Sequence, residues 1–266
     1  MFYATIPEKS YFVKNRTTHF LNHDSVNAFL SEALYDWEAV DIASVLTLDD
    51  YYATDRHWRQ EELFPVMKAI AEKMEFEINA DGYESKVFEG YKGDYSKKIP
   101  DIDAESLIYM KSDVTDGATV DNYQDTYAKE KFTAVYNEAK FTSKTPYDIF
   151  LSGATPLTTI KNPANSSGRR LIMFRDSYGS SIAPLFIEAY SEIVLVDLRY
   201  MSSSLLPQFV NFENAEVLFL LSDSVVNNSN LQKFYYRIKD GVSMEEARNA
   251  FKEVYYKFQP RTFDVI

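Results

Sequence analysis

Cysteine is absent from the 266-residue chain, and glycine is scarce at 8 residues. The first absence excludes disulfides, thiolate metal sites and cysteine nucleophiles. Average glycine usage of about 7% would give roughly 19 residues in a chain of this length. Neither G-x-G-x-x-G nor G-x-x-x-x-G-K-[ST] occurs, so the common nucleotide-binding loops are excluded. Histidine occurs only at His19, His23 and His57, and any imidazole that acts as a general base must be one of these three.

Long apolar runs are also missing, and the charge is one-sided. No run approaches the roughly 18 apolar residues of a membrane-spanning helix, so we expect no such segment. The 40 acidic and 28 basic side chains give a net charge of −12, which repels phosphate backbones and argues against a nucleic-acid partner. No secretory signal peptide is visible. The length and the 45% hydrophobic content predict one globular domain over residues 1–266.

Four apolar runs predict the strands of a central sheet. They span residues 2–6, 171–174, 193–196 and 217–221. The last three are continuously apolar and alternate with helical patterns, as in a parallel sheet that is covered on both faces. The sequence therefore predicts an α/β fold with a mostly parallel sheet.

The helical patterns are less regular. Asp24 is expected to cap a helix whose apolar face runs from Val26 to Trp37. A second helix should carry Leu63, Met67, Ile70 and Met74, with Pro65 in its first turn. Two further helices are expected: a short one over 203–212 that is broken at Pro207, and one that follows a capping box at 243–246.

The segment over about 76–145 has a poorer pattern. We expect it to be an antiparallel or irregular insertion, with a strand at 106–110.

Asp55-Arg56-His57 is the first segment that could carry chemistry. In an extended chain Asp55 and His57 project to the same side, and a carboxylate beside an imidazole fixes its tautomer and stabilises its protonated form. Two structural alternatives are a surface loop and a histidine that packs beside Trp58. A metal site is a weaker interpretation, because no further ligands stand at a recognisable spacing.

Ser177 is the second candidate. It directly follows an apolar strand and precedes a helical pattern, which places it at the carboxyl edge of a parallel sheet, where ligands bind in open α/β folds. The free N–H groups at the start of the next helix can stabilise an oxyanion. The alternative is that Ser177 is only a helix N-cap.

Together, the two segments resemble the family named for its Asp-His-His-Trp (DHHW) motif. This family is a branch of the SGNH-hydrolase-like proteins related to periplasmic alginate O-acetyltransferases. Residues 51–58 (YYATDRHW) are similar to its signature segment, 147–153 (YDIFLSG) and 155–160 (TPLTTI) to its second block, and 171–178 with 190–200 to its serine block and the following strand. The resemblance runs from the first strand to about residue 222 and is poor in the middle insertion.

The resemblance implies a three-layer αβα fold and an acyl-transfer reaction. Ser177 would be the nucleophile, His57 the general base and Asp55 the residue that orients it, without a metal or cofactor. The Ser177 N–H would bind the oxyanion, and further oxyanion or substrate contacts would come from Gly179, Gly153, Arg175, Arg56 and Trp58. The substrate would be a carbohydrate or an acyl ester outside the cytoplasm, in polysaccharide modification.

Two residues depart from the family pattern. Arg56 replaces the middle histidine of the motif, and Ala154 stands where an asparagine is expected after the glycine. A missing side-chain amide in an oxyanion hole typically costs about 10²–10³ in rate. Three hypotheses therefore stay open: an esterase or O-acyltransferase, a weak or inactive glycan-binding or polysaccharide-assembly protein, and an unrelated α/β protein. The first two require a His57 ring nitrogen within about 3 Å of Ser177 Oγ.

Overall fold

The computed structural model describes residues 1–16, 20–123, 129–132, 134–201 and 205–227. Its strands are β1 Phe2–Ile6, β2 Glu38–Ala39, β3 Glu84–Tyr91, β4 Glu105–Lys111, β5 Thr119–Tyr123, β6 Lys129–Phe132, β7 Leu157–Lys161, β8 Arg170–Arg175, β9 Glu192–Val196 and β10 Glu216–Ser222. Its α-helices are α1 Lys9–Phe12, α2 His23–Ala33, α3 Phe64–Met74, α4 Asp113–Gly117, α5 Ser177–Ile182, α6 Leu206–Phe209 and α7 Asp223–Val226. The capping box at 243–246 and the helix expected after it lie outside the described residues.

The protein is a mixed α/β structure built on an eight-stranded sheet. The strand order is β2-β1-β10-β8-β9-β7-β5-β6. The strands from β2 to β9 are parallel, and β7, β5 and β6 continue the sheet in antiparallel pairing. The four strands predicted from apolar runs are confirmed as β1, β8, β9 and β10.

Both faces of this sheet are buried, which explains why its central strands are apolar throughout. In β8, Leu171 and Met173 join one apolar cluster, whereas Ile172 and Phe174 join the other. Helices α3 and α5 contribute to the first cluster, and α2 and α6 contribute to the second. Across the described ranges, none of the helices combines the length and apolar character needed to cross a bilayer.

Helix α2 departs from its expected bounds. The side chain of Asn22, not that of Asp24, caps it by accepting a hydrogen bond from Ser25 N–H at 3.2 Å. The helix ends at Ala33, so Trp37 lies beyond it, although Trp37 is buried against Phe219 with 5.1 Å between ring centroids. The apolar periodicity predicted too long a helix because it included Trp37. This side chain packs against Phe219 from beyond the end of α2 and is not part of the helix face.

Proline lies in the first turn of two further helices, as predicted in one case and contrary to prediction in the other. Helix α3 carries Pro65 in its first turn, as predicted. Helix α6 likewise places Pro207 in its first turn, so this proline begins a short helix, where the sequence predicted a break.

The segment 76–145 divides between two sheets. Strands β3 and β4 form a separate two-stranded antiparallel sheet, and β4 confirms the strand expected at 106–110. Strands β5 and β6 instead extend the edge of the central sheet. The β3–β4 hairpin matters for the site because it lies against the loop that carries Asp55.

Candidate active site

Asp55 and His57 lie on a closed loop between the second strand and α3. An isolated antiparallel bridge joins Tyr51 to Trp58, and Tyr52 N–H donates to the His57 carbonyl at 3.1 Å. The segment is bent and not extended. The two side chains meet because the chain turns: Asp55 Oδ1 accepts the His57 backbone N–H at 3.1 Å, and this bond holds the carboxylate beside Nδ1 of the ring.

Ser177 lies at the carboxyl end of β8 as the first residue of α5. The N-cap is Asp176, whose Oδ1 accepts Tyr178 N–H at 3.0 Å, so the alternative that Ser177 is only a cap is wrong. The other oxygen of Asp176 accepts the N–H of Ser222 at 2.8 Å and its hydroxyl at 2.6 Å, which ties this turn to β10. Every residue of α5 except Ser177 is buried, and Ser177 itself is partly exposed.

The fold brings Ser177, His57 and Asp55 into one hydrogen-bonded chain. His57 Nε2 lies 2.8 Å from Ser177 Oγ, and His57 Nδ1 lies 2.6 Å from Asp55 Oδ1. His57 and Asp55 are only 7% and 3% exposed, so solvent reaches these three hydrogen-bonded side chains mainly at the serine. These distances contradict the third hypothesis on its testable point, that the three residues lie far apart.

The environment of Asp55 keeps its carboxylate ionised. Burial by itself raises the pKa of Asp55, but the hydrogen bond from His57, the charge of that ring and the backbone N–H groups of Asp94 and His57 outweigh it, so the pKa lies well below its usual range. Because an ionised carboxylate only accepts hydrogen bonds, it holds the proton on His57 Nδ1. The Nε2 lone pair then faces the Ser177 hydroxyl, which is the arrangement that a general base needs.

Tyr147 fixes the plane of the His57 ring. The two rings stack with 3.9 Å between centroids and an interplanar angle of 10°. The Tyr147 hydroxyl donates to Ser181 Oγ at 2.7 Å, which anchors the tyrosine to α5. Tyr147 begins the segment 147–153 that resembles the second family block, but no role was predicted for it. Its position in that block is the signal that could have identified it.

Trp58 and Arg175 are too deeply buried for the substrate contacts expected of them. Trp58 is fully buried, and its indole N–H donates to Ser181 Oγ at 2.9 Å, which joins the Asp55 loop to α5. Arg175 is 1% exposed and lies 3.8 Å from Asp197 Oδ2 and 3.3 Å from Ser180 Oγ. Both residues therefore stabilise the structure around the site from the protein interior, and neither is positioned to contact a substrate at the surface.

The two glycines expected to contact an oxyanion have occupied N–H groups. Gly179 N–H donates to the Asp176 carbonyl at 3.0 Å, and Gly153 N–H donates to the Phe150 carbonyl at 2.9 Å. The expectation that Gly179 supplies an oxyanion donor therefore does not fit the structure. Ser177 N–H, by contrast, has no acceptor within the part of the chain that the structure describes. It is therefore a free donor beside Ser177 Oγ.

Arg56 and the other two histidines differ in their surroundings. The Arg56 side chain is 54% exposed and lies 3.6 Å from Asp94 Oδ2, so it stands at the rim of the site. His23 is buried. Its Nδ1 lies 2.9 Å from Asp223 Oδ2, and its Nε2 contacts the side-chain amide of Asn27. His19 lies outside the described residues. Among the described residues, no group of three or more His, Cys, Asp or Glu side chains is arranged to hold a metal ion.

The fold is similar to solved structures of low sequence identity. No protein-family model matches the sequence, and no curated protein matches it. A DHHW family protein from Eubacterium siraeum matches with a TM-score of 0.70 and 21% identity, over 87% of this chain and 80% of the other. Bacillus cereus PatB1 matches in two structures. The one with a sulfonyl adduct has a TM-score of 0.68 and 19% identity over 84% of this chain and 81% of PatB1, and the other has 0.67 and 19% over 84% and 82%.

Proposed function

We propose that the chain is an SGNH-hydrolase-like serine esterase or O-acyltransferase of the DHHW family, acting on a carbohydrate outside the cytoplasm through an acyl-enzyme. The observation that carries the proposal is the hydrogen-bonded chain from Ser177 Oγ through His57 to Asp55, with distances of 2.8 Å and 2.6 Å. The similarity of fold to the DHHW family protein and to PatB1 supports it. In this proposal the central sheet is the middle layer of a three-layer αβα arrangement.

The reaction would proceed in two halves. Ser177 Oγ attacks the ester carbonyl while His57 Nε2 takes its proton, and the Ser177 N–H donates to the developing oxyanion. The protonated His57 then gives its proton to the leaving alcohol as the tetrahedral intermediate collapses to the acyl-enzyme. In the second half, His57 deprotonates water or a sugar hydroxyl, which attacks the acyl group. His57 then returns the proton to Ser177 Oγ as the bond between Oγ and the acyl group breaks. Asp55 stays ionised throughout and holds the ring.

Hydrolysis of an activated aryl acetate by the purified chain tests the proposal. Ser177→Ala should abolish turnover, whereas Ser85→Ala, which alters an exposed serine on β3, should leave it unchanged. A sulfonyl fluoride should add one sulfonyl group to the wild-type chain and none to Ser177→Ala, measured by mass spectrometry. Turnover that survives in Ser177→Ala would refute the serine mechanism.

The second candidate is a weak or inactive protein that holds a glycan or a component of a polysaccharide-modifying assembly. Ala154 and the occupied Gly153 and Gly179 N–H groups favour it, because an oxyanion at Ser177 then lacks a side-chain amide and both of these backbone donors. Ala154→Asn separates the two candidates. A slow enzyme that lacks the amide should gain aryl acetate turnover, and a binding protein should not.

A further inference from the structure

The loop that carries Asp55 is held from outside by the β3–β4 hairpin. The Glu105 carboxylate, on β4, accepts the backbone N–H groups of Ala53 at 3.0 Å and Thr54 at 2.6 Å, together with the Thr54 hydroxyl at 2.5 Å. Thr54 is itself fully buried. The residue just before Asp55 is therefore fixed by the hairpin and not by the central sheet.

The chain that leaves β3 makes the matching contacts on the other side of the loop. Gly93 N–H donates to Thr54 Oγ1 at 3.0 Å, and Tyr95 N–H donates to the Thr54 carbonyl at 2.9 Å. Between them, Asp94 N–H donates to Asp55 Oδ2 at 2.9 Å. This bond reaches the carboxylate oxygen opposite the one that faces His57 Nδ1. One carboxylate oxygen of Asp55 is therefore hydrogen-bonded to the imidazole, and the other is hydrogen-bonded to the backbone that follows β3.

Gly93 makes this approach possible because it has no side chain. A Cβ at this position would lie 2.3 Å from both Asp55 Cβ and Asp55 Oδ2. The Gly93 φ angle of −80° is accessible to any residue, so steric room and not backbone conformation requires the glycine. Gly117 offers a contrast, since a Cβ there meets no heavy atom within 4 Å.

We propose that Gly93 and the Asp94 N–H form a positioning element for Asp55: Gly93 lets the backbone approach the carboxylate, and the Asp94 N–H fixes its second oxygen. This inference rests on the proposed function, because it assigns the element a role in orienting His57. An added methyl group must push the carboxylate or the 93–94 backbone away by about an ångström to reach ordinary contact. Misplacement on that scale costs about 10²-fold in rate, and it should appear in kcat because no substrate contact changes.

Gly93→Ala and Gly117→Ala form the first test pair. Gly93→Ala should lower kcat for aryl acetate hydrolysis by roughly 10²-fold with KM nearly unchanged, while Gly117→Ala keeps wild-type values. In an Asp55→Asn background Gly93→Ala should have little further effect on kcat, because the two changes act on one contact. Equal fold-losses in both backgrounds, or wild-type kcat in Gly93→Ala, would overturn the proposal.

Asp94→Pro and Asp94→Ala form the second pair, which tests the proposal even if Gly93→Ala folds poorly. Asp94 is the first residue of a 3₁₀ helix, a position that proline accepts, and Gly93 before it has the extended ψ of −165° that precedes a proline readily. Both variants remove the Asp94 side chain, but only proline removes the N–H. Asp94→Pro should therefore have a kcat roughly tenfold below that of Asp94→Ala, since a hydrogen bond to a charged group is lost. Equal kcat values would contradict the role of the N–H.

A spectroscopic readout separates failure of this inference from failure of the proposed function. The proton on His57 Nδ1, bonded to a carboxylate at 2.6 Å, should resonate far downfield, and the chain has only three histidines to assign. Gly93→Ala should shift this resonance upfield and Gly117→Ala should not, whether or not the protein turns over any ester. An unshifted resonance in Gly93→Ala would refute the positioning role. Loss of turnover only in Ser177→Ala would then leave the proposed function standing.

Discussion

Asp55→Asn tests the central assumption that the carboxylate acts on the tautomer of His57. The wild-type side chain accepts three N–H groups, from His57 Nδ1 at 2.6 Å, the His57 backbone at 3.1 Å and the Asp94 backbone at 2.9 Å. An asparagine has one oxygen and one NH₂ group in the same space. If the NH₂ faces Nδ1, it donates there, and the imidazole proton moves to Nε2. A protonated Nε2 of a neutral ring faces Ser177 Oγ and cannot accept its proton.

In Asp55→Asn the expected loss of kcat is much larger than the expected loss of folding stability. A wrong tautomer with intact geometry costs about 10⁴ in kcat in the well-studied serine protease case, and we expect a fall of about 10³–10⁴ here. The folding cost is one unmatched buried N–H group, about 1–3 kcal/mol, or roughly 2–4 °C in melting temperature per kcal/mol for a domain of this size. Activity should therefore collapse in a protein that is still folded at 25 °C.

The assay is aryl acetate turnover per folded molecule, measured beside a thermal unfolding curve. Asp49→Asn makes the same chemical change at an exposed position six residues earlier, and should alter neither quantity. A loss of activity below about tenfold would refute the tautomer argument. So would a loss that matches the loss of folded protein, because Asp55 would then be a structural carboxylate.

Three further predictions follow from the same structure. Tyr147→Phe keeps the stack on His57 and should change kcat less than about threefold, while Tyr147→Leu removes the ring and should cost about tenfold, since each factor of ten is about 1.4 kcal/mol in the barrier. Burial raises the pKa of Glu61 from 4.5 to about 7, so its contribution to stability is full below about pH 4.5 and is lost as the pH rises through 7. Glu61→Gln should thus gain up to about 3 kcal/mol over wild type between pH 4 and pH 8 in chemical denaturation, and a constant difference would contradict this. His23→Ala leaves Asp223 as an unpaired buried charge and should cost about 3–5 kcal/mol of stability, yet activity per folded molecule should stay near wild type, and its loss would overturn the choice of His57 as the base.

The central sheet was predictable because its strands are buried on both faces. A strand with two buried faces is a continuous apolar run, and β8, β9 and β10 are visible for that reason alone. The position of Ser177 followed directly, since it comes two residues after β8. The N-cap of α2 was not predictable in the same way. Asn22 and Asp24 are both good caps, and only the turn geometry decides which side chain reaches an orphan N–H group.

Strand β3 and its pairing with β4 were not predictable, for the opposite reason. Most residues of β3 are exposed, so the strand has no buried face whose alternation could be recognised. No function was therefore predicted for 76–145. The structure places Gly93 and Glu105 from this segment against the Asp55 loop. Their contacts depend on tertiary approach and leave no local pattern, which is why a motif identified Asp55 while its supports stayed hidden.

The oxyanion donors show the same limit of sequence reasoning and bear on what the protein does. Whether an N–H is free depends on which carbonyl the local turn presents, and those of Gly153 and Gly179 are already bonded within their own turns. Each absent donor weakens the stabilisation of both tetrahedral intermediates, because the acyl carbonyl occupies the same place in acylation and deacylation. If Ser177 N–H works without a second donor, deacylation slows as much as acylation. Transfer to a sugar hydroxyl passes through the same tetrahedral intermediate as hydrolysis, so a missing donor slows both reactions alike. A hydrolase and a transferase would therefore differ in how well an acceptor occupies the site and excludes water, and not in their oxyanion donors.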